Sequence, residues 1–393
     1  MNSLQTHTAD SFGYEVLEPC GRAARTVALR EPFAVLGKPA ALLYRAVSGR
    51  IRRRRITGRP QPWSDTTVLS VGNLEIGGNG KTPLAIHLLQ YLEQNDERPV
   101  YISRGFGSTA ETLGAVTVLA SWASGRCPTP ADGLRLIPRE NRAGADEIGD
   151  EGAVVAMRCP ATPLVFSRDK LRAIELARKM FRPSHIILDD AFQSWGVPRD
   201  RDIVLLDAEH PLGNGRVLPA GTLREDPSAL ARASWIGING CEATLPPRRY
   251  AELVERACGR TLPVFGIVRK LALDDAIEGG AARRVEGGLA ALSSIARPQR
   301  FERELDGNAG GLELAIRFPD HYRYRVADIA TVRRALAGRH IRNLVTTEKD
   351  WVKLREFDLS FARVLVGRLE LALEDSILQD LTRKPQALPA ASP

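Results

Sequence analysis

The sequence predicts an α/β fold with a parallel sheet, and three observations lead there. Short apolar runs alternate with stretches of helical periodicity, which is the pattern of strands joined by helical crossovers. A glycine-rich turn stands between one such run and a helix. The composition is that of a globular chain: 393 residues, 44% hydrophobic and 26% charged, with 55 Lys+Arg against 47 Asp+Glu for a net charge of +8. That length accommodates about two domains, and disordered, collagen-like and disulfide-scaffold classes are excluded. The five cysteines form no Cys-x-x-Cys pair and the six histidines no His-x-x-x-His pair, so neither a structural zinc site nor a disulfide framework is expected.

Residues 1–30 mix Thr, Ser, Gly and charge without sustained periodicity and read as a polar, weakly ordered tail. From Phe33 to Ile51, Leu36, Ala40, Leu43, Val47 and Ile51 share one face of a helix while Lys38, Arg45 and Arg52 share the other, and the basic block Arg52–Arg55 follows. Such a helix either lies in a membrane interface, its arginines on anionic head groups, or docks on the protein's own core. Strands are expected at Thr67–Val71, Val100–Ser103, Leu164–Phe166, His185–Leu188 and Ile203–Leu206. Leu245–Pro247 reads as a linker, with further strands at Val264–Val268, Leu312–Ile316 and Asn343–Thr346. The expected division is a tail and helix over 1–55, a core over 56–245 and a smaller α/β lobe over 246–393. No apolar run approaches the about 18 residues of a membrane span, and the first thirty residues lack the pattern of a secretory signal, so a cytosolic chain is expected.

The strongest local signal is the run Val68–Thr82, an apolar strand followed by Glu75-Ile76-Gly77-Gly78-Asn79-Gly80-Lys81-Thr82 and a helical pattern through Leu92. A strand, glycine-rich loop and helix in that order present backbone N–H groups and a helix N-terminus to phosphates. Lys81 neutralises charge and the Thr82 hydroxyl can ligate Mg²⁺. Glu75 occupies the first glycine position of the usual G-x-x-x-x-G-K-[ST] spacing. A second element is His185–Asp190, an apolar strand ending in Asp189 and Asp190, which suits a site that holds Mg²⁺ or its waters.

Other polar clusters follow strand ends, where the binding crevice of an open α/β sheet lies. Arg104, Arg168, Arg216 and Arg224 are candidates to clamp phosphates, and Asp150 is a candidate base. His321, in Phe318-Pro319-Asp320-His321, can orient or share a proton with a carboxylate. Thr347–Asp350 superficially suggests a guanine-reading motif but is neither Thr-Lys-x-Asp nor Asn-Lys-x-Asp.

In order, the Val71–Pro83 loop, Ser103–Gly107, Gly149–Glu151, Asp189-Asp190 with Phe192-Gln193, Gly213–Glu225, Phe318–His321 and Thr347–Lys353 resemble the tetraacyldisaccharide 4′-kinase family, the lipid A 4′-kinases. The resemblance spans about Phe33 to Lys353. It implies a P-loop kinase core with a smaller C-terminal α/β lobe and ATP with Mg²⁺ as cofactors. The reaction it implies is phosphorylation of the 4′-hydroxyl of tetraacyldisaccharide 1-phosphate to give the lipid IVA precursor. It further implies peripheral contact of the 33–55 helix with the cytoplasmic face of the inner membrane of a Gram-negative-type bacterium. Carried over by position, Glu75, Ile76, Gly77, Gly78, Asn79, Gly80, Lys81 and Thr82 bind ATP, and Thr82, Asp189 and Asp190 hold the metal. Asp150 is the base, supported by His321; Lys81 is also catalytic, through the ATP phosphates; and Arg104, Glu151, Arg168, Gln193 and Glu225 form a substrate-contacting or supporting set. The sequence departs from the family pattern at Ala191 and Ser194, in a run that usually reads Asp-Asp-Gly-Phe/Leu-Gln-His, and at Ser108, Gly152 and Thr222. The alternative reading is a P-loop ATPase or GTPase switch acting on a protein or metal partner, which shares Lys81, Thr82 and Asp190. Nucleic-acid binding through the net charge is the weakest reading, because no nucleic-acid module accompanies the basic block.

Overall fold

The computed structural model describes residues 4–8, 15–19, 41, 44, 49–50, 62–121, 133–139, 143–277, 279–282, 285, 287–309 and 311–385. Of the expected helix over 33–55, only Ala41, Tyr44, Gly49 and Arg50 fall within them; the remainder lies outside the described residues. In chain order the strands are β1 (Leu4–Thr8), β2 (Glu15–Pro19), β3 (Thr67–Asn73), β4 (Pro99–Ser103), β5 (Val116–Ala120), β6 (Leu134–Pro138), β7 (Leu164–Phe166), β8 (His185–Asp189), β9 (Arg201–Asp207), β10 (Trp235–Asn239), β11 (Val264–Asp275), β12 (Leu289–Ser293), β13 (Leu312–Arg317), β14 (Asn343–Thr347) and β15 (Arg363–Ala372). The helices that carry the argument are α1 (Lys81–Gln94), α2 (Asp150–Arg158), α3 (Lys170–Phe181) and α4 (Glu348–Leu354).

The chain forms two compact units. One gathers 1–28, 144–154 and 270–370; the other, larger, gathers 29–143, 155–269 and 371–393. In the larger unit the strand order is β11-β10-β9-β3-β8-β4-β7-β5-β6, with parallel pairing throughout except between β7 and β5. Every residue of β3, β4 and β8 is buried. That is why these strands read as continuous apolar runs: helices cover both faces of a parallel sheet, so neither face of the strand meets water. Val68, Ile102, Val165 and Leu188 build the core on one side with Ala173 and Ile174 of α3. Leu74, Val204, Leu206, Ile236 and Ile238 build another, and Ala41 joins it.

The register of β3 on β8 sets Val71 level with Asp189, and that of β4 on β8 sets Tyr101 beside Ile187. The glycine loop after β3 and the two aspartates at the end of β8 therefore emerge from neighbouring strands at the same edge, where parallel α/β sheets bind ligands.

The smaller unit has the order β1-β2-β13-β12-β14-β15, with β1 antiparallel to β2 and the rest parallel. Two of its strands come from the stretch that composition alone assigns to a tail. Val16 and Leu17 of β2 are 3% and 5% exposed and enter opposite cores, Val16 with Leu289, Phe301 and Leu365, Leu17 with Leu314, Ile329 and Val332. Two apolar residues on alternate faces are too short a run to register as a strand until a partner strand is present. Pro247 precedes the helix Arg248–Cys258, and β11 then adds to the larger unit's sheet beside β10.

Candidate functional site

In the larger unit, β3 delivers the chain to a loop that reverses tightly into α1. Gly77 and Gly80 have φ values of 109° and 82°, conformations open to glycine and costly for other residues. A Cβ on Gly80 would also lie 2.4 Å from the Asn239 side-chain nitrogen, whose amide donates to the Asn79 carbonyl at 3.0 Å. At Gly77 and Gly78, by contrast, an added Cβ would meet nothing within 4 Å. The loop surface there is open, as a phosphate cradle requires. Ile76 beside it is exposed.

Glu75, the residue that breaks the usual spacing, faces inward. Its carboxylate accepts from Thr222 Oγ1 at 2.7 Å and from Asn79 Nδ2 at 3.4 Å, and its backbone bridges to Leu223. A buried carboxylate with several donors braces a loop that a glycine could not. Thr222, one of the positions at which the sequence departs from the resemblance, thus contributes its hydroxyl to Glu75.

Lys81 and Thr82, on the first turn of α1, meet the two aspartates separately. The Thr82 hydroxyl donates to Asp189 Oδ2 at 3.2 Å, and the Tyr101 hydroxyl donates to the same oxygen at 2.7 Å. The Lys81 ammonium donates to Asn73 Oδ1 at 3.1 Å and stands 3.6 Å from Asp190 Oδ1. Arg224 holds Asp190 at 2.8 and 2.9 Å and donates to Gln193 Oε1 at 3.4 Å, and Gln193 donates to the Asn73 carbonyl at 3.0 Å. Asn73, Gln193, Arg224, Asp190 and Lys81 thus close a ring. Burial pushes the Asp190 carboxyl up, but the charges of Lys81 and Arg224 overcome it and keep the group below the ordinary carboxylate range. The oxygen pair Thr82 and Asp189 fits a hard divalent cation, which takes one or two protein oxygens and completes its shell with water and phosphate. Among the described residues no cluster of three or more His, Cys, Asp or Glu groups is arranged to hold a metal by protein ligands alone. Asp190, engaged by two cations, is one step removed from Thr82.

The Asp189-Asp190-Ala191-Phe192-Gln193-Ser194 turn is fastened from behind by Arg199. Its guanidinium donates to the carbonyls of Ala191 at 2.7 Å, Ser194 at 3.0 Å and Phe192 at 3.3 Å. Ala191 and Phe192 are fully buried, so Ala191 fills a packed position. Glu225 lies beyond, paired with Arg232 at 2.9 Å, and Arg232 stacks on the Phe192 ring at 4.4 Å. Arg104 and Arg168 converge on Glu111, at 2.5 and 3.8 Å, with both arginines more than half exposed.

The other predicted residues assemble in the smaller unit. The parallel strands β12, β13 and β14 end at one edge, with Ser293 level with Arg317 and Leu292 level with Thr346. Ser294, the Phe318–His321 turn and α4 follow from those three ends. Gly149, at φ 82°, turns the chain into α2, whose first residue is Asp150. His321 Nδ1 lies 2.8 Å from Asp150 Oδ2, and Asp150 Oδ1 accepts from the Glu151 backbone N–H at 3.1 Å. Lys349 donates to Glu151 at 2.6 Å, and the Lys353 ammonium is 4.0 Å from Asp150. Burial pushes the Asp150 carboxyl up, but the His321 hydrogen bond and the charges of Lys349, His321 and Lys353 outweigh it, taking the group down to about 2. The Asp150 hydrogen bond raises His321 above its ordinary 6.5 against the opposing effect of burial. The pair therefore holds its proton on the imidazole.

Sequence reasoning passes over Asn73, Tyr101, Arg199, Lys349 and Lys353 as site residues. Tyr101 and Arg199 carry no motif signal, whereas the two lysines stand inside a motif that the sequence displays without saying what it faces.

A family model described as tetraacyldisaccharide-1-P 4′-kinase matches residues 33–386. The tetraacyldisaccharide 4′-kinase of Anaeromyxobacter dehalogenans (strain 2CP-C) is 34% identical over 336 residues, covering 84% of this chain and 82% of that relative. That of Geobacter sulfurreducens is 34% identical over 342 residues, covering 86% and 87%. Among solved structures, LpxK from Aquifex aeolicus in complex with ATP has a TM-score of 0.63 at 24% identity, over 87% of this chain and 96% of that one. The fold is accordingly shared, and the chain belongs to the tetraacyldisaccharide-1-P 4′-kinase family, enzymes that phosphorylate a lipid-linked disaccharide at its 4′ position in lipid A biosynthesis.

Proposed function

We propose that the larger unit binds ATP with Mg²⁺ and that Asp150 and His321 take the proton of the acceptor's 4′-hydroxyl. The observation that carries this reading is the placement of Lys81 and Thr82 on one helical turn against the two aspartates of the neighbouring strand, below a loop open at Gly77 and Gly78. The 4′ oxygen forms a bond to the γ-phosphorus as the bond from phosphorus to the ADP oxygen breaks, and the hydroxyl proton goes to the Asp150–His321 pair. Phosphoryl transfer depends chiefly on alignment and charge stabilisation, so backbone N–H groups of 76–81 and the Lys81 ammonium would hold the phosphates. Bound through Thr82 and Asp189, Mg²⁺ would neutralise phosphate charge. Asp190, held by Arg224, keeps Lys81 in place. Asp150 alone is a weak base, but it meets the proton while the imidazole, with its raised affinity, stores it. Glu225 and Gln193 support the ring from Arg224 outward, and Arg104 and Arg168 offer exposed guanidinium groups to the acceptor. The switch alternative finds no support in the family to which the chain belongs.

Incubation with γ-labelled ATP, Mg²⁺ and tetraacyldisaccharide 1-phosphate in detergent micelles tests the assignment. Label should appear at the 4′ position and disappear in Lys81→Ala and Asp150→Ala. Transfer retained by folded Asp150→Ala would remove that residue from the mechanism.

For localisation, we propose peripheral contact with the cytoplasmic face of the inner membrane through residues 33–55, on the strength of the amphipathic pattern and the acyl chains of the substrate. Among the described residues no helix is long and apolar enough to cross a membrane. Ala41 is buried in the protein's own core and the Tyr44 hydroxyl donates to the Arg224 carbonyl at 2.9 Å, so the segment also has an inward-facing side. Charged residues in place of Leu36, Leu43 and Val47 should abolish cosedimentation with anionic liposomes; unchanged cosedimentation of the folded variant would refute this contact.

A further inference from the structure

The Thr347–Lys353 motif ends in a buried polar node that the phosphoryl-transfer reading leaves unused. Asp350 is fully buried and collects five donors. They are the Ser294 N–H at 3.0 Å, the Ser294 hydroxyl at a shorter distance, the Thr347 hydroxyl at 2.7 Å, the Tyr324 hydroxyl at 2.9 Å and the Lys353 ammonium at 3.2 Å. A buried carboxylate so saturated has one arrangement available, because breaking any contact leaves a desolvated charge short of a partner. Two arms leave this node. Through Ser294, whose carbonyl accepts the His321 backbone N–H at 3.2 Å, it fixes a histidine held at φ 58°. Through Lys353, which also donates to Ser294 Oγ at 2.8 Å and lies over the Tyr324 ring at 5.5 Å, it reaches Asp150 Oδ2 at 4.0 Å.

We propose that Lys353 is a positioning residue for the phosphoryl transfer, tying the Asp150 carboxylate to the Asp350–Ser294 anchor that also holds the His321 backbone. The proposal rests on the kinase reading and adds the device that keeps the proton-accepting pair in register. Asp150 also faces Lys349, whose ammonium is committed to Glu151, and the carboxylates of Glu151 and Asp320 oppose the two lysines. Removing the Lys353 charge leaves the pair more anionic surroundings, so the pair binds its proton more tightly and needs a higher pH to be free to accept one.

The test uses the full-length enzyme with Lys353→Met, Lys353→Arg and Tyr324→Phe. Lys353→Met should lower kcat about tenfold or more, leave the KM for ATP within about twofold, and move the acid limb of the rate profile upward by about half to one pH unit. Lys353→Arg should recover most of both effects, and Tyr324→Phe, which removes one hydroxyl from the node, should shift them in the same direction by a smaller amount. The His321 ring proton, assigned with His321→Gln and titrated by NMR, should show the same shift of midpoint without any turnover being measured. An acid limb and a His321 midpoint that stay put in folded Lys353→Met, whatever happens to kcat, would overturn the proposal and leave a merely structural lysine. If Lys353→Met does not fold, wild-type behaviour of Tyr324→Phe in both readouts would overturn it instead. Failure of the wild-type protein to label the lipid would strike the kinase reading alone, since the NMR midpoint still decides the role of Lys353.

Discussion

The phosphate loop of the larger unit and the Asp150 cluster of the smaller unit both set lysines against carboxylates, yet the pairing serves opposite ends. Around Lys81 the proposed function makes the carboxylate a holder and the cation the working group: Asp190 and Asn73 fix an ammonium that remains 13% exposed beside an open loop. Around Asp150 the proposed function makes the carboxylate the working group, and Lys353, Lys349 and His321 are the cations about it. The first site takes its loop, Lys81 and Thr82 from one continuous stretch and its aspartates from the end of the adjacent strand, with Tyr101 and Arg224 bracing them. The second draws on four separate segments, near 150, 294, 321 and 350. A site that binds a polyanion needs backbone N–H groups in sequence, which only a continuous loop can supply. Proton affinity is tuned by charges from any direction, and these need not be near in the chain.

That contrast can be broken in order of expected effect. Lys81→Met should lower kcat by about 10³-fold and weaken ATP binding together, because in the proposed function the ammonium would hold phosphate in both ground and transition states; an equilibrium nucleotide titration beside the rate assay checks it. Asp150→Asn should cost about 10²-fold in kcat with ATP affinity within about threefold, and a parallel loss of nucleotide affinity would erase the distinction between the two sites. Arg224→Gln removes a cation that clamps Asp190 and so loosens the hold on Lys81, and should raise the KM for ATP by about threefold to tenfold, in keeping with the loss of a charge-assisted hydrogen bond. An ATP titration at saturating Mg²⁺ measures it.

The pH dependence sharpens the same point. His321 is raised above 6.5 in the folded protein, so the pair is protonated below that raised value and turnover should fall by about tenfold per pH unit on the acid side, a limb that His321→Gln should flatten. For stability the sign is that of a group whose folded affinity for the proton is raised. The Asp150–His321 contact contributes fully below pH 6.5 and loses its contribution as pH rises through the folded value. Urea unfolding of wild type and His321→Gln should therefore differ more at pH 6 than at pH 9, the smallest of these effects.

Features encoded by neighbouring residues are the ones that could be read without coordinates. The strands expected at Thr67–Val71, Val100–Ser103, His185–Leu188 and Asn343–Thr346 were legible, to within two residues at their ends, because strands buried on both faces carry runs of adjacent apolar residues. The phosphate loop was legible because its glycines, lysine and threonine are consecutive. Asp150 and His321 could be named from their motifs, but nothing in their 171-residue separation says that they touch. Only tertiary structure decided that Glu75 is a buried brace, that Asp190 answers to Arg224 and Lys81 while Thr82 answers to Asp189, and that β2 joins the smaller sheet on the strength of Val16 and Leu17. It also decided what the Thr347–Lys353 motif faces. Backbone conformation and phosphate chemistry are written in neighbouring residues, whereas the partner of a side chain is set by which strand ends share an edge, and that is a property of sheet order and register.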